Sequence, residues 1–443
     1  MTPNTPETTS IPLDDAEPPR LHTKCKTCRQ EIPLHCTGLA DLLARFTPVQ
    51  DSVLNYLAIR DIVALSRTTK ALSGCVGIVE RTQFNVNERL KRFFENPKAF
   101  RSLQAKHNIV IGGTFALGFM SRKYLNVNLQ EVNTCLSDEL LVQQGAHAEA
   151  LKSFLVSEGY KLTGTRPTPT TPNHLIIMVR TNAQELRRVA FVELETPPFS
   201  GIRNAAFTSD VNFITWNKAY SVFAYQTFIL QEGYLLKHVA DIAADRTLKV
   251  WDNIGISIAP IHFQDALQLE ASTDSGASGP GSKMMRKRLI GDRHSWIIYL
   301  DTDGIEPPPF QDNSFDYAGF EVTTSIKNTI FLPSPGPFPP FDHYTIKMTV
   351  LKSRVLRHEY AFADRARVEN CHFRDRAVMQ LYALPSEHRP RGFAQIFALR
   401  QMIDLSGIGD FVPPGGWIFH DDEMVKMLEM RYPGAVRVIE RGK

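Results

Sequence analysis

The chain has 443 residues, 43% hydrophobic and 22% charged, with a net charge of +3 when its 13 His are neutral. That length predicts two or three domains and a sizeable core, and so small a net charge gives no argument for a nucleic-acid or membrane-surface partner. Six irregularly spaced Cys, a polar start without an apolar signal-like core, and no apolar run near the roughly 20 residues of a membrane-spanning helix predict a reducing compartment, nuclear or cytoplasmic.

Residues 1–21 intersperse Pro with Thr, Asn, Asp and Glu, a composition expected to stay disordered. His22, Cys25, Cys28, His35 and Cys36 follow. Cys25-x-x-Cys28 has the knuckle spacing of a zinc site, which Cys36 or His35 would complete. A robust zinc module has two separated ligand pairs, and the adjacent His35-Cys36 restricts geometry. Reduced free thiols are therefore the expectation, and zinc on Cys25, Cys28 and Cys36 is the alternative.

In residues 39–75, Pro48 suits the first turn of a helix. Val49, Val53, Leu54 and Leu57 then fall on one apolar face. Asp61 is a candidate N-cap for a second helix carrying Ile62, Val63 and Leu65. Two short helices with this much apolar surface call for a partner. Val53-Leu54-x-Tyr56-Leu57, Arg60-Asp61-Ile62 and Ala64-Leu65-Ser66-Arg67-Thr68 resemble an F-box, with Phe46-Thr47-Pro48 where that motif usually has Leu-Pro. The resemblance implies docking on the small adaptor subunit of a cullin-type ubiquitin ligase through Val53, Leu54, Leu57, Ile62 and Leu65. It also implies recruitment of a protein client.

Residues 85–105 read as a helical, basic bridge anchored by Phe93, Phe94 and Phe100. Residues 107–111 read as a buried strand, ended by Gly112-Gly113-Thr114, with a helix to Met120. Residues 125–132 alternate as a half-buried strand. Strand, Gly-Gly-Thr, helix, strand resembles the opening unit of a nucleotidyltransferase fold. The resemblance implies that Gly112, Gly113 and Thr114 meet a nucleotide phosphate and that the next strand carries Asp-x-Asp for magnesium. The matching positions here are Asn126 and Asn128, and two amides cannot replace two carboxylates at a hard divalent cation. The expectation is a scaffold with a degenerate phosphate site, no catalytic residue and no cofactor.

A helix is predicted over 144–159, with Ala148, Leu151, Phe154 and Leu155 on one side and Gly159 as its C-cap. A Pro/Thr loop over 166–172 separates it from strands at 174–180 and 188–195. In the second strand Ala190, Val192 and Leu194 oppose Phe191, Glu193 and Glu195. The same resemblance implies a third carboxylate on such a strand, for which Glu193 and Glu195 are the residual acids. Exposed acids beside a loop are the plainer reading.

Asn96-Pro97-x-Ala99-Phe100-Arg101, Val211-Asn212-Phe213-Ile214-Thr215-Trp216, Lys218-Ala219-Tyr220-Ser221 and Gly291-Asp292-Arg293-His294-Ser295-Trp296 are similar to stretches of a group of fungal F-box proteins. In that group an F-box-like hairpin precedes a nucleotidyltransferase-like domain. The likeness spans most of residues 45–305 and implies that architecture without an activity. Trp216, Tyr220 and Phe223 read as core aromatics.

A Gly/Ser-rich insertion over 270–288 ends in Lys283, Arg286, Lys287 and Arg288, a nuclear-import or phosphate patch or simply a solvated face. Strands are predicted over 294–301 and 344–351, a long Arg-rich helix over 352–381, helices over 393–405 and 417–429, and a last strand over 435–439. Gly113 to Gly118 has P-loop-like spacing, but Phe119 and Met120 stand where Lys and Ser/Thr are required. Cys371-His372 are neighbours within the Arg-rich helix and point apart. His420-Asp421-Asp422-Glu423 is either a cation site or an acidic helix start. The expected class is α+β: a polar tail over 1–38, an F-box-like segment over 39–92, a nucleotidyltransferase-like mixed sheet over 93–269, the insertion, and an α+β region over 289–443 packed on that core. The expected function is a non-catalytic interaction protein with a ligase adaptor and an unknown client as partners. The alternatives are a working nucleotidyltransferase and a phosphate-sensing module.

Overall fold

The computed structural model describes residues 22–24, 31–33, 38–123, 134–167, 174–182, 185–236, 255–259, 287–325, 343–363, 373–390 and 411–432. The candidate zinc ligands Cys25, Cys28, His35 and Cys36 lie outside the described residues, as do Asn126, Asn128, Lys283, Arg286 and the Cys371-His372 pair. So do the segments 1–21, 393–405 and 435–439. The described chain is mixed α+β and forms two compact units, Met1–Ile78 and Val79–Lys443.

The first unit pairs β1 (His22–Lys24) with β2 (Glu31–Pro33) and then turns helical: α1 (Leu39–Arg45), α2 (Thr47–Tyr56), α3 (Ile59–Ser66), a 3-10 turn at Lys70–Leu72, and α4 (Cys75–Thr82), within which the division falls. Pro48 sits in the first turn of α2, where its missing N–H costs nothing. Asp61 is not the N-cap of α3. It stands at the third position and accepts the Ala58 amide at 3.2 Å, closing the helix start from within. Leu43, Leu54, Ile62, Leu72 and Cys75 are at most 2% exposed and form the interior of this unit.

The second unit continues with α5 (Val86–Leu90), α6 (Pro97–His107), β3 (Val110–Ile111), α7 (Gly113–Met120), β4 (Thr134–Gln143), α8 (Ala146–Ser157), β5 (Lys161–Pro167), β6 (His174–Asn182), β7 (Glu185–Leu194), β8 (Asn212–Ile214), β9 (Lys218–Ser221), β10 (Glu232–Tyr234) and β11 (Ser257–Ala259). It ends with β12 (Lys287–Leu289), β13 (Trp296–Tyr299), β14 (Gly319–Ser325), β15 (His343–Lys347), β16 (Thr349–Leu351), β17 (Tyr360–Phe362), α9 (Phe373–Ala383) and α10 (Asp421–Arg431). An eight-stranded sheet in the order β13-β9-β8-β3-β4-β7-β6-β5 organises it. β4 and β7 run parallel, joined through α8 and the β5–β6 hairpin, and the sheet's other neighbours are antiparallel. Val110, Phe213 and Tyr220 belong to a core shared with Phe320, Val322, Tyr344 and Ile346 of the β12-β14-β15 sheet.

Three of the motif stretches have structural work that explains their residues. Asn96 caps α6 by accepting the Ala99 amide, Pro97 opens the helix, and Phe100 is fully buried. Arg101, only 1% exposed, donates from Nε to the Trp216 carbonyl at 3.0 Å and from Nη1 to Asn87 at 3.1 Å. Burial weakens its hold on the proton and brings its pKa down to about 10, against the opposing pull of Asp301. A Cβ on Gly291 would lie 2.9 Å from the Asp316 carbonyl, so the chain passes there only as glycine. Asp292 accepts from Arg288 and from the amides of His294 and Ser295, and the Trp296 indole donates to Glu80 at 2.7 Å. Tyr220 and Phe223 are core aromatics, as expected.

Several expected boundaries move. The strand expected over 107–111 is reduced to β3, because α6 runs on to His107 and Asn108 (φ +51°) ends it in the left-handed conformation. Arg166 and Pro167, expected in a loop, close β5 against β6. The long helix expected over 352–381 is replaced at its start by a turn and β17, and its far end is observed as α9, Phe373–Ala383. A tie from a distant residue makes that turn: the Asp421 carboxylate accepts the amides of Arg357 and His358 at 2.9 and 3.2 Å. The helix over 144–159 is observed as α8, with Gly159 (φ +84°) just past its end.

Candidate functional site

Two places hold the residues singled out from sequence, one in each unit. On α2, the side turned inward carries Gln50 and Leu54, and Gln50 faces the Cys75 thiol. The other side presents Phe46, Val49, Val53 and Tyr56 at helical spacing. Phe46 is 37%, Val49 38% and Tyr56 92% exposed, and Val53 is half-buried. Leu54 and Ile62, expected among the adaptor contacts, are at most 1% exposed. They hold the helices together from beneath and offer no surface to a partner. Leu57 and Leu65 are half-buried.

In the second unit the Gly-Gly-Thr turn stands where β3 ends and α7 begins. Gly112 is the N-cap, extended and without a side-chain cap, and Gly113 adopts φ +59°, a conformation that costs glycine little. Backbone amides at such a helix start can cradle an anion. Ile111 pairs with Ile214 in antiparallel register, so the chain leaving β3 heads toward Asn212 at the start of β8. Asn212 lies opposite Ser221 of β9 and bonds the Ser209 carbonyl at 2.6 Å. The side-chain oxygens of Ser209, Asn212 and Ser221 are buried and have no hydrogen-bond partner among the described residues.

The residual acids stand elsewhere. Glu193 is level with Val142 of β4, and therefore with Ile109, three residues back from Gly112 and two strands across. At strand spacings that is roughly 10 Å in each direction. Its carboxylate pairs with Lys152 of α8 at 2.8 Å, and Lys152 also holds Glu149 at 2.8 Å. Burial disfavours the Lys152 charge, but the two carboxylates outweigh it and raise its pKa. Glu195 is exposed beyond the end of β7. Glu193 is thus engaged with Lys152, and Glu195 is an exposed acid past the strand end.

Sequence reasoning missed the strand that does run beside the turn. Leu140 of β4 pairs with Ile111, the last residue before Gly112, and Asp138 and Glu139 precede Leu140 where the register with β7 breaks between Leu136 and Leu140. The acidic pair in Ser137-Asp138-Glu139 is the signal on that strand available from sequence. The basic cluster also divides: Lys287 is exposed, whereas Arg288 is buried in an ion pair with Asp292 at 2.8 Å, between the rings of Phe223 and Phe320. Asp421 and Glu423 of the last acidic cluster are committed to local structure, Asp421 at the turn before β17 and Glu423 with Arg376 and His420. Among the described residues no group of three His, Cys, Asp or Glu side chains is arranged to hold a metal, and no helix is long and apolar enough to cross a membrane. No protein-family model matches the sequence, and no curated protein matches it either.

Proposed function

We propose that this chain is an interaction protein whose first unit docks on the adaptor subunit of a cullin-type ubiquitin ligase and whose second unit recruits a client. The observation that supports it is the apolar stripe Phe46, Val49, Val53 and Tyr56, exposed on a helix whose opposite side fills its own unit's core. Solvated helices seldom present such a stripe unless something covers it. The F-box resemblance names the occupant, and the docking residues become the stripe with Leu57 and Leu65 at its margin. In the second unit, the glycine turn and the β3-β4-β7 strand order support a nucleotidyltransferase-like scaffold. The ion pair of Glu193 with Lys152 supports reading it as non-catalytic.

A second reading, a transferase, is favoured by Asp138 and Glu139 on β4, just before the Leu140 that pairs with Ile111. They occupy adjacent rather than alternate strand positions, unlike the i, i+2 pair that shares one metal-binding face.

Affinity purification with mass spectrometry tests the leading reading. The adaptor should co-purify with the unmutated chain and be lost from Val49→Asp and Tyr56→Asp, whose thermal melts should match the parent because both sites are exposed. Leu54→Ala should instead lower stability by about 2–5 kcal/mol through a core cavity. If the adaptor is never recovered with the unmutated chain, the docking reading is wrong.

A further inference from the structure

Ser209, Asn212 and Ser221 are each 0% exposed, and the strand register sets Asn212 against Ser221. The Val222 amide donates to the Val211 carbonyl and the Thr215 amide to the Lys218 carbonyl, so bonded pairs fall at every second position along β8 and β9. Asn212 and Ser221 are the opposed pair between two of these, where antiparallel side chains stand closest. The next pair, Phe213 and Tyr220, enters the core shared with the β12-β14-β15 sheet, so Asn212 and Ser221 face the other side. Trp296 of β13 lies opposite Ser221, and its indole N–H is taken by Glu80. The rings of Trp296, Phe84 and Phe119 of α7 follow one another edge to face. Ser209 belongs to the 3-10 turn Thr208–Asp210, which packs against α7 as β8 and β9 do.

The Asn212 amide nitrogen donates to the Ser209 carbonyl at 2.6 Å, which fixes the orientation of the amide and leaves Oδ1 as an acceptor. That oxygen and the Ser209 and Ser221 hydroxyls have no hydrogen-bond partner among the described residues. Polar groups buried this deeply are costly unless bonded. We infer that Asn212 and Ser221 bind an internal water molecule between them, with Ser209 as its third partner. An anion would set its charge against the Asn212 oxygen. A hard cation takes about six to eight oxygens, carboxylates among them, and three neutral oxygens fall short of that. Water donates to Oδ1 and exchanges hydrogen bonds with the hydroxyls, which makes up the roughly three bonds usual for a buried water. The water joins β8, β9 and the 3-10 turn beneath α7, the helix that Gly112 and Gly113 open. The inference is independent of the adaptor reading.

The test is a crystal structure of the full chain grown with rubidium chloride and sodium phosphate, together with magnetic relaxation dispersion of water, which counts long-lived bound waters in solution. The crystal should show one peak about 2.7–3.2 Å from both Asn212 Oδ1 and Ser221 Oγ, without the anomalous signal of rubidium. Ser221→Val should lose one long-lived water. Ser221→Thr, which has the shape of valine but keeps the hydroxyl, should retain it. If the Asn212 and Ser221 side chains bond each other directly, or no peak lies between them, the inference is overturned. Rubidium or phosphate at that place would make it an ion site and the water wrong. A folded Ser221→Val that keeps every long-lived water of the parent would also overturn it. Should that variant fail to fold, the crystal structure of the parent decides alone.

Discussion

His107 closes α6 and His147 opens α8, and their rings meet edge to face with centroids 5.5 Å apart. Burial lowers the pKa of both, and for His107 the nearby His147 and Lys106 lower it further. Each therefore takes up a proton more readily in the unfolded chain than in the folded one. Where the unfolded state binds more protons, stability rises with pH. The contribution is complete above the ordinary histidine value of 6.5 and is lost as pH falls through the lowered folded-state values. Urea midpoints measured from about pH 7 down to about pH 5 should fall, and fall less steeply in His147→Phe, which keeps a ring in place but cannot titrate. An identical slope in parent and variant would remove the pair from the account. Nothing in the sequence marks this pair, because residues 40 positions apart meet only through the packing of two helices. Arg101 is the opposite case. It stands in a stretch recognisable from sequence, yet its partners, Asn87 and the Trp216 carbonyl, become visible only in the fold.

At the level of elements, what could be read from sequence follows local physics. Apolar periodicity, Gly159 and Asn96-Pro97 identify α8 and α6 because caps and amphipathic faces are encoded within a few residues. The Arg-rich stretch after β16 fails for the converse reason. Its charges suit a helix, but Asp421, 64 positions from Arg357, takes two backbone amides and turns the chain into β17. Tyr360 of that strand donates its hydroxyl to the same carboxylate at 3.0 Å, and burial together with Asp421 raises its pKa. One side chain thus anchors the turn, the strand and the start of α10. Asp421→Ala should lower stability by about 1–3 kcal/mol in urea denaturation, since three donors lose a charged acceptor. Asp421→Asn, which keeps one carbonyl acceptor, should lie between the variant and the parent. An unchanged midpoint for Asp421→Ala would show that the turn stands without it.

At the scale of the whole molecule, magnesium separates the two readings of the glycine turn. Gly112 and Gly113 were legible as a strand-to-helix turn because glycine at such a junction has a backbone reason to be there. Which carboxylates stand near that turn was not legible, since only the strand register sets Glu193 two strands away and pairs Ile111 with Leu140, the residue after Glu139. A working transferase brings the triphosphate's charge to two or more carboxylates through magnesium, so its nucleotide affinity rises with the metal. A non-catalytic scaffold gains nothing from the metal. Calorimetric titration of a nucleoside triphosphate with and without magnesium therefore separates them. The non-catalytic reading expects no gain in affinity on adding magnesium and no transfer of labelled nucleotide. Glu193→Gln should then change stability through the loss of its Lys152 pair and leave nucleotide binding as it was. Magnesium-dependent binding or transfer that disappears in Asp138→Asn or Glu139→Gln would make the second unit an enzyme and overturn the non-catalytic reading.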